Sequence, residues 1–223
     1  MVGEGVMRIC FVSKGEAGDY LGGQERADVV LCGFNGKKEI SYEKELKGES
    51  TFFEEIARLS KENGNIVCHG CVTNTRGHKR KSAVLVENGR ILGVSDMLHV
   101  VDGEVGSGSA LRVYDTGVGR IGLVVAEDIR FPEVIKTLAL CGSDFILCPF
   151  GAVDELQSVL LRANAYFYGV PILFCGEGKS MLADADGKLV FSSPSSPIFV
   201  DFTYRKEYHL VETRRRGFFR SST

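Results

Sequence analysis

The sequence predicts an α/β fold in which strands and helices intermix within one domain, residues 1–223. Three observations carry that reading. Short, unbroken apolar runs such as "RICFVS" (8–13), "ADVVLCG" (27–33) and "DFILCPF" (144–150) fit strands covered on both faces. Between such runs lie segments with helix start and stop residues. No internal repeat, low-complexity tract or linker divides the chain.

Taken in order, 8–13 reads as the first strand, and the glycine-rich stretch 15–23 after it is too short and flexible for a long helix. Residues 27–33 form the second strand. "STFFEEIARLSKENG" (50–64) has Ser50 or Thr51 as its N-cap, apolar Phe53, Ile56 and Ala57, and closure at Gly64, which predicts an amphipathic helix. Strands follow near 65–73, 82–87 and 90–94, with "ENGR" (87–90) as a hairpin turn. A strand at 120–126 leads to a helix at 131–141, opened by Pro132 and Glu133 and ended by Gly142. The strand 144–150 precedes a helix at 153–168, which Gly169 and Pro171 stop before the strand in "PILFCG" (171–176). A hairpin around "DADGK" (184–188), the strand "IFVDF" (198–202) and a basic end complete the chain.

The 27 basic and 29 acidic residues give a net charge of −2, so no global field draws the protein to nucleic acid or membrane. No run of 18 apolar residues occurs, and the first residues lack the features of a signal peptide. Most of the seven cysteines sit in strand-like runs, which fits free buried thiols in a reducing cytoplasm.

Several small motifs have a plain reading. "GEGKS" (176–180) has Leu173 where a phosphate-binding loop needs glycine, and it reads as a turn between strands. "CHGC" (68–71), with His69 and His78 nearby, lacks the second ligand pair of a zinc site and the helix of a redox pair. "DADG" is too poor in ligands for a calcium loop, so neither metal nor cofactor is expected. "HKRK" (78–81) reads as a solvated hairpin tip and "RRR" (214–216) as a basic patch without aromatic interleaving.

"GRIGLVVAEDIRFPE" (119–133) is a strand, a sharp polar turn and a helix start, the junction at which α/β enzymes often present a nucleophile. Its strand ends on Ala126, a bare methyl.

That block resembles the nucleophile block of the nitrilase superfamily, the carbon–nitrogen hydrolases. "ADVVLCGF" (27–34) is similar to the family's first catalytic block, and "GVSDMLHV" (93–100) to the block before its Lys-x-His-Leu. "LRANAYFYGVPILFCGEG" (161–178) is similar to its Arg-Ala-x-Glu-Asn helix and the next strand, and "RRRGFF" (214–219) to its C-terminal arginine pair. Five such blocks in the right order are specific. The resemblance implies a four-layer α-β-β-α sandwich, and self-association as a homodimer or higher oligomer through the helices near 131–141 and 153–168.

The resemblance also implies a chemistry. A cysteine thiolate attacks the amide or nitrile carbon, a glutamate is general base and a lysine stabilises the tetrahedral intermediate. The matching positions are Phe34 for the glutamate, Met97 for the lysine and Ala126 for the cysteine. A phenyl ring moves no proton, a thioether carries no charge and a methyl attacks nothing. Asp128, Arg130, Pro132 and Glu133, which shape the block, remain. The expected protein is therefore non-catalytic and binds a small molecule or a partner. The alternative is a hydrolase with relocated groups, drawing on Glu127, Cys148, Cys175 and Glu104 as pocket candidates.

Overall fold

The computed structural model describes residues 4–15, 18, 25–35, 39–101, 103 and 105–205. Most of the glycine-rich stretch 15–23, Glu104 and the arginines of 214–216 lie outside the described residues. The chain begins with β1 (Glu4–Val12), β2 (Val29–Cys32), β3 (Glu39–Ser41), the one-turn α1 (Tyr42–Leu46) and α2 (Phe52–Asn63). The strands β4 (Ile66–Thr75), β5 (His78–Glu87) and β6 (Arg90–Asp96) follow. Then come β7 (Val113–Thr116), β8 (Gly119–Leu123), a 3-10 turn (Ala126–Arg130), α3 (Pro132–Leu140), β9 (Phe145–Ala152) and α4 (Glu155–Tyr168). Last are β10 (Ile172–Glu177), β11 (Lys179–Ala183), β12 (Leu189–Ser193) and β13 (Ile198–Arg205).

Two mixed sheets result. One runs β13-β1-β2-β4-β5-β6, with the short β3 also paired to β4, and the other runs β12-β11-β10-β9-β8-β7. Parallel pairs occur where a helix makes the crossover, as in β2–β4, β8–β9 and β9–β10, whereas hairpins such as β4–β5 are antiparallel, and so is the long-range pair β1–β13.

The strand period of two sorts the side chains into layers. Ile9, Phe11, Val29 and Leu31 face Ile121, Leu123, Phe145 and Leu147 in one core between the sheets. Their neighbours Cys10, Val12, Val30 and Cys32 point the other way, onto Phe52, Ile56 and Leu59 of α2. On the second sheet Ile146, Cys148, Phe150 and Ile172 pack under Val134 and Leu138 of α3 and Leu161 and Ala165 of α4. The architecture is a four-layer α-β-β-α sandwich. Strands buried on both faces need apolar residues at consecutive positions, which is why the runs are unbroken.

Three elements differ from the sequence expectation. "HKRK" (78–81) is not a hairpin tip but the start of β5, because Arg76 and Gly77 adopt φ 51° and 87° and close a two-residue turn earlier. The strand expected at 120–126 ends at Leu123, where the chain leaves the sheet for the 3-10 turn. Helix α4 starts later than 153 because Asp154 caps it, accepting from Leu156 N–H while the Gln157 side chain accepts from Asp154 N–H. Among the described residues no helix is long and apolar enough to cross a membrane.

Candidate active-site cavity

The junction after β8 is held from three sides. Val124 N–H donates to Leu147 C=O (3.0 Å), which ties the strand end to β9. Asn164, buried on α4, donates its side-chain amide to Ile129 C=O (2.9 Å). The buried Asp128 carboxylate accepts from Leu98 N–H (2.8 Å), His99 N–H (3.0 Å) and His99 Nδ1 (2.9 Å). Burial pushes the Asp128 carboxyl above its ordinary value, while the bonds from Leu98 and His99 pull it back. Within this frame Ala126 adopts φ 49°, a left-handed conformation that costs a non-glycine residue about 1 kcal/mol.

Phe34 follows β2, where its N–H donates to Phe150 C=O (3.0 Å) and its ring lies over Gly70. A Cβ on Gly70 would stand 2.6 Å from Phe34 Cδ2, so glycine there makes room for the ring. Met97 follows β6, its N–H donating to Lys81 C=O (2.8 Å). Phe34, Met97 and Ala126 are 4 %, 0 % and 1 % exposed and share the core between the sheets.

A cavity of about 460 Å³ opens beside them. Phe34, Ala126 and Phe150 contribute to its wall, whereas Met97 is not among its lining residues. Glu127 also lines it and receives both its oxygens' contacts from Lys81 Nζ, at 2.9 Å each. Farther out on the same wall Lys79 Nζ lies 2.6 Å from Glu39, whose carboxyl that bond holds below its usual value.

Cys148 and Cys175 do not line the cavity. Cys148 points to the helix layer and Cys175 to the core between the sheets. Burial pushes the Cys175 thiol up to about 12 and Cys148 well above its ordinary value, which keeps both protonated and unreactive. Cys68 and Cys71 face opposite sides of β4. Among the described residues no group of three or more His, Cys, Asp or Glu is placed to hold a metal ion.

Residues 19–197 match the sequence profile of the family described as carbon-nitrogen hydrolase. The chain belongs to that family. A probable nitrilase of Schizosaccharomyces pombe is 22 % identical over 138 residues, 54 % of this chain and 47 % of that protein. A deaminated glutathione amidase of Yersinia enterocolitica is 33 % identical over 104 residues, 40 % of this chain and 36 % of that protein. The chain thus spans half or less of the curated relatives it matches. Its fold matches a nitrilase superfamily member, of branch 10, from Saccharomyces cerevisiae (TM-score 0.74, 15 % identity, 98 % of this chain and 96 % of that one). A carbon-nitrogen hydrolase from Helicobacter pylori gives 0.74 at 16 % identity, over 96 % and 93 %.

Lys79 and Lys81, which the sequence places in a solvated hairpin tip, line the cavity instead. A signal existed. Two lysines two positions apart on a strand share one face, and β5 turns that face toward the cavity.

Proposed function

We propose that this carbon–nitrogen hydrolase family member is non-catalytic and works by binding a small ligand or a partner, as a single domain with Phe34, Met97 and Ala126 at the family's glutamate, lysine and cysteine positions. One observation carries the reading. Phe34 and Ala126, buried with Met97 in the core between the sheets, line a cavity, and the sequence resemblance assigns these three apolar residues to the family's base, nucleophile and cation positions. Losing one charged partner favours losing the other, because a lone buried charge is destabilising. In a protease dissected group by group, removing the reacting residues costs about 10⁶ in turnover, so only a trace of family-type hydrolysis is expected here.

A second reading, hydrolysis by relocated groups, draws support from Lys81 and Glu127, which offer a cation and a base beside Ala126. Cys148 and Cys175 weaken it, since neither reaches the cavity as a thiolate. Leu140 on α3 and Leu156, Val159 and Phe167 on α4 leave apolar surface outside, which supports a homodimer. Seven free cysteines support a cytoplasmic setting.

The test is an assay of the purified protein with simple amides, nitriles and ureido acids. No product above buffer is expected, from either the wild type or Ala126→Cys, which regains a thiol but neither base nor oxyanion stabiliser. Turnover by the wild type that Glu127→Gln or Cys175→Ala abolishes would establish the second reading.

A further inference from the structure

Resting on the reading of this cavity as a binding site, we infer that its ligand is an uncharged aromatic molecule of one or two rings, held by apolar contact rather than by charge. The volume, about 460 Å³, lies in the lower part of the range for small-molecule sites, roughly 300–1,000 Å³. An apolar cavity of about 150 Å³ takes up one benzene, so this one has room for a ring with a short side chain or for two fused rings. Phe34, Val72, Val105, Ala126, Phe150 and Ala152 give it an apolar surface. Two of these are phenyl rings, which favour a further ring placed edge-on or in offset stacking. Their backbones are tied where Phe34 N–H donates to Phe150 C=O (3.0 Å). Val105 packs against the core between the sheets, and its loop is fixed by Gly106 N–H, which donates to Lys79 C=O (2.7 Å).

The charges in the wall disfavour an ionic ligand because they are already compensated. Lys81 reaches both oxygens of Glu127 at 2.9 Å and makes a further interaction, and Lys79 lies 2.6 Å from Glu39. Each of these cations meets its counter-charge within the wall. An ionic ligand that enters gives up its water and faces pairs of no net charge, which restore little of the lost hydration. An uncharged ring loses little hydration and gains the apolar contact. Arg130 and Glu177, the cavity's other charged residues, are exposed and of opposite sign, so water solvates both and neither ion is favoured. Phe34 and Ala126, at the positions the resemblance assigns to a glutamate and a cysteine, bring no ionisable group to the wall.

Titration calorimetry on the whole protein tests this with 2-phenylethanol and indole against phenylacetate, 2-phenylethylamine and phenylalanine, the matched anion, cation and zwitterion. Each uncharged compound is expected to bind at least about tenfold tighter than each of the three. Val105→Lys and, separately, Ala152→Lys add a cation to the wall beyond those already paired. Each should shift the preference at least about tenfold toward phenylacetate. Ala152 is exposed at the end of its strand, so its variant keeps the fold and serves if Val105→Lys does not. Equal or tighter binding of an ionic compound by the wild type overturns the inference. So does no binding of either uncharged compound, or a preference that a folded lysine variant leaves unchanged. None of the test compounds is a carboxamide or a nitrile. Turnover in the separate hydrolysis assay would therefore overturn the non-catalytic reading instead, and the affinity order would still decide the ligand class.

Discussion

One oxygen of the Asp128 carboxylate accepts two bonds from His99, the backbone N–H at 3.0 Å and ring Nδ1 at 2.9 Å. The imidazole in turn stacks on Phe131, with ring centroids 3.8 Å apart and planes 11° from parallel. Two loops from different sheets are thereby locked, and with them the placement of Met97 and Ala126. Asp128→Ala removes the acceptor of three donors in a buried setting. It should cost at least about 3 kcal/mol, read as a lowered midpoint in urea. Asp128→Asn keeps the size but sets an amide among N–H groups, and should recover only part of the loss.

Phe34 and Gly70 are matched in shape. Gly70→Ala places a methyl 2.6 Å from the ring, and overpacking of this kind costs about 1–3 kcal/mol. Phe34→Ala should cost about 3–5 kcal/mol by itself. In the Phe34→Ala background, however, Gly70→Ala should be nearly neutral. Denaturation of the two single variants and the double variant gives the coupling. Additive losses would contradict the contact.

The thiols predict a pH dependence. Burial raises Cys10, Cys71 and Cys175 each to about 12 in the folded chain, against about 8.5 for a free thiol. A raised value contributes stability that is complete below the unfolded pKa and lost as pH climbs toward the folded one. The midpoint of thermal unfolding should therefore fall steadily above roughly pH 8.5. At neutral pH a thiol reagent should label Cys141, the exposed one of the seven, and reach the other six only after unfolding.

Val159 is 63 % exposed and Phe167 49 %, on the outer side of α4. With the homodimer proposed above, Val159→Glu together with Phe167→Glu should convert the protein to a species near 24.4 kDa by light scattering. A wild type already at that mass would contradict the dimer.

The sequence by itself determined the layers. Unbroken apolar runs such as 144–150 allow only strands covered on both faces, and cap residues such as Gly64, at φ 63°, stop helices where local backbone geometry dictates. It also determined that positions 34, 97 and 126 carry no ionisable group. The short β3, α1 and β7 were not legible, because pieces of three to five residues draw their stability from the neighbours they pair with. The cavity's charged wall was decided only in three dimensions. Lys81 and Glu127 are 46 residues apart and meet because a strand of one sheet is packed against the turn that leaves the other. Local sequence sets which way a strand's side chains alternate, but which opposite charge each one reaches depends on how the two sheets face each other.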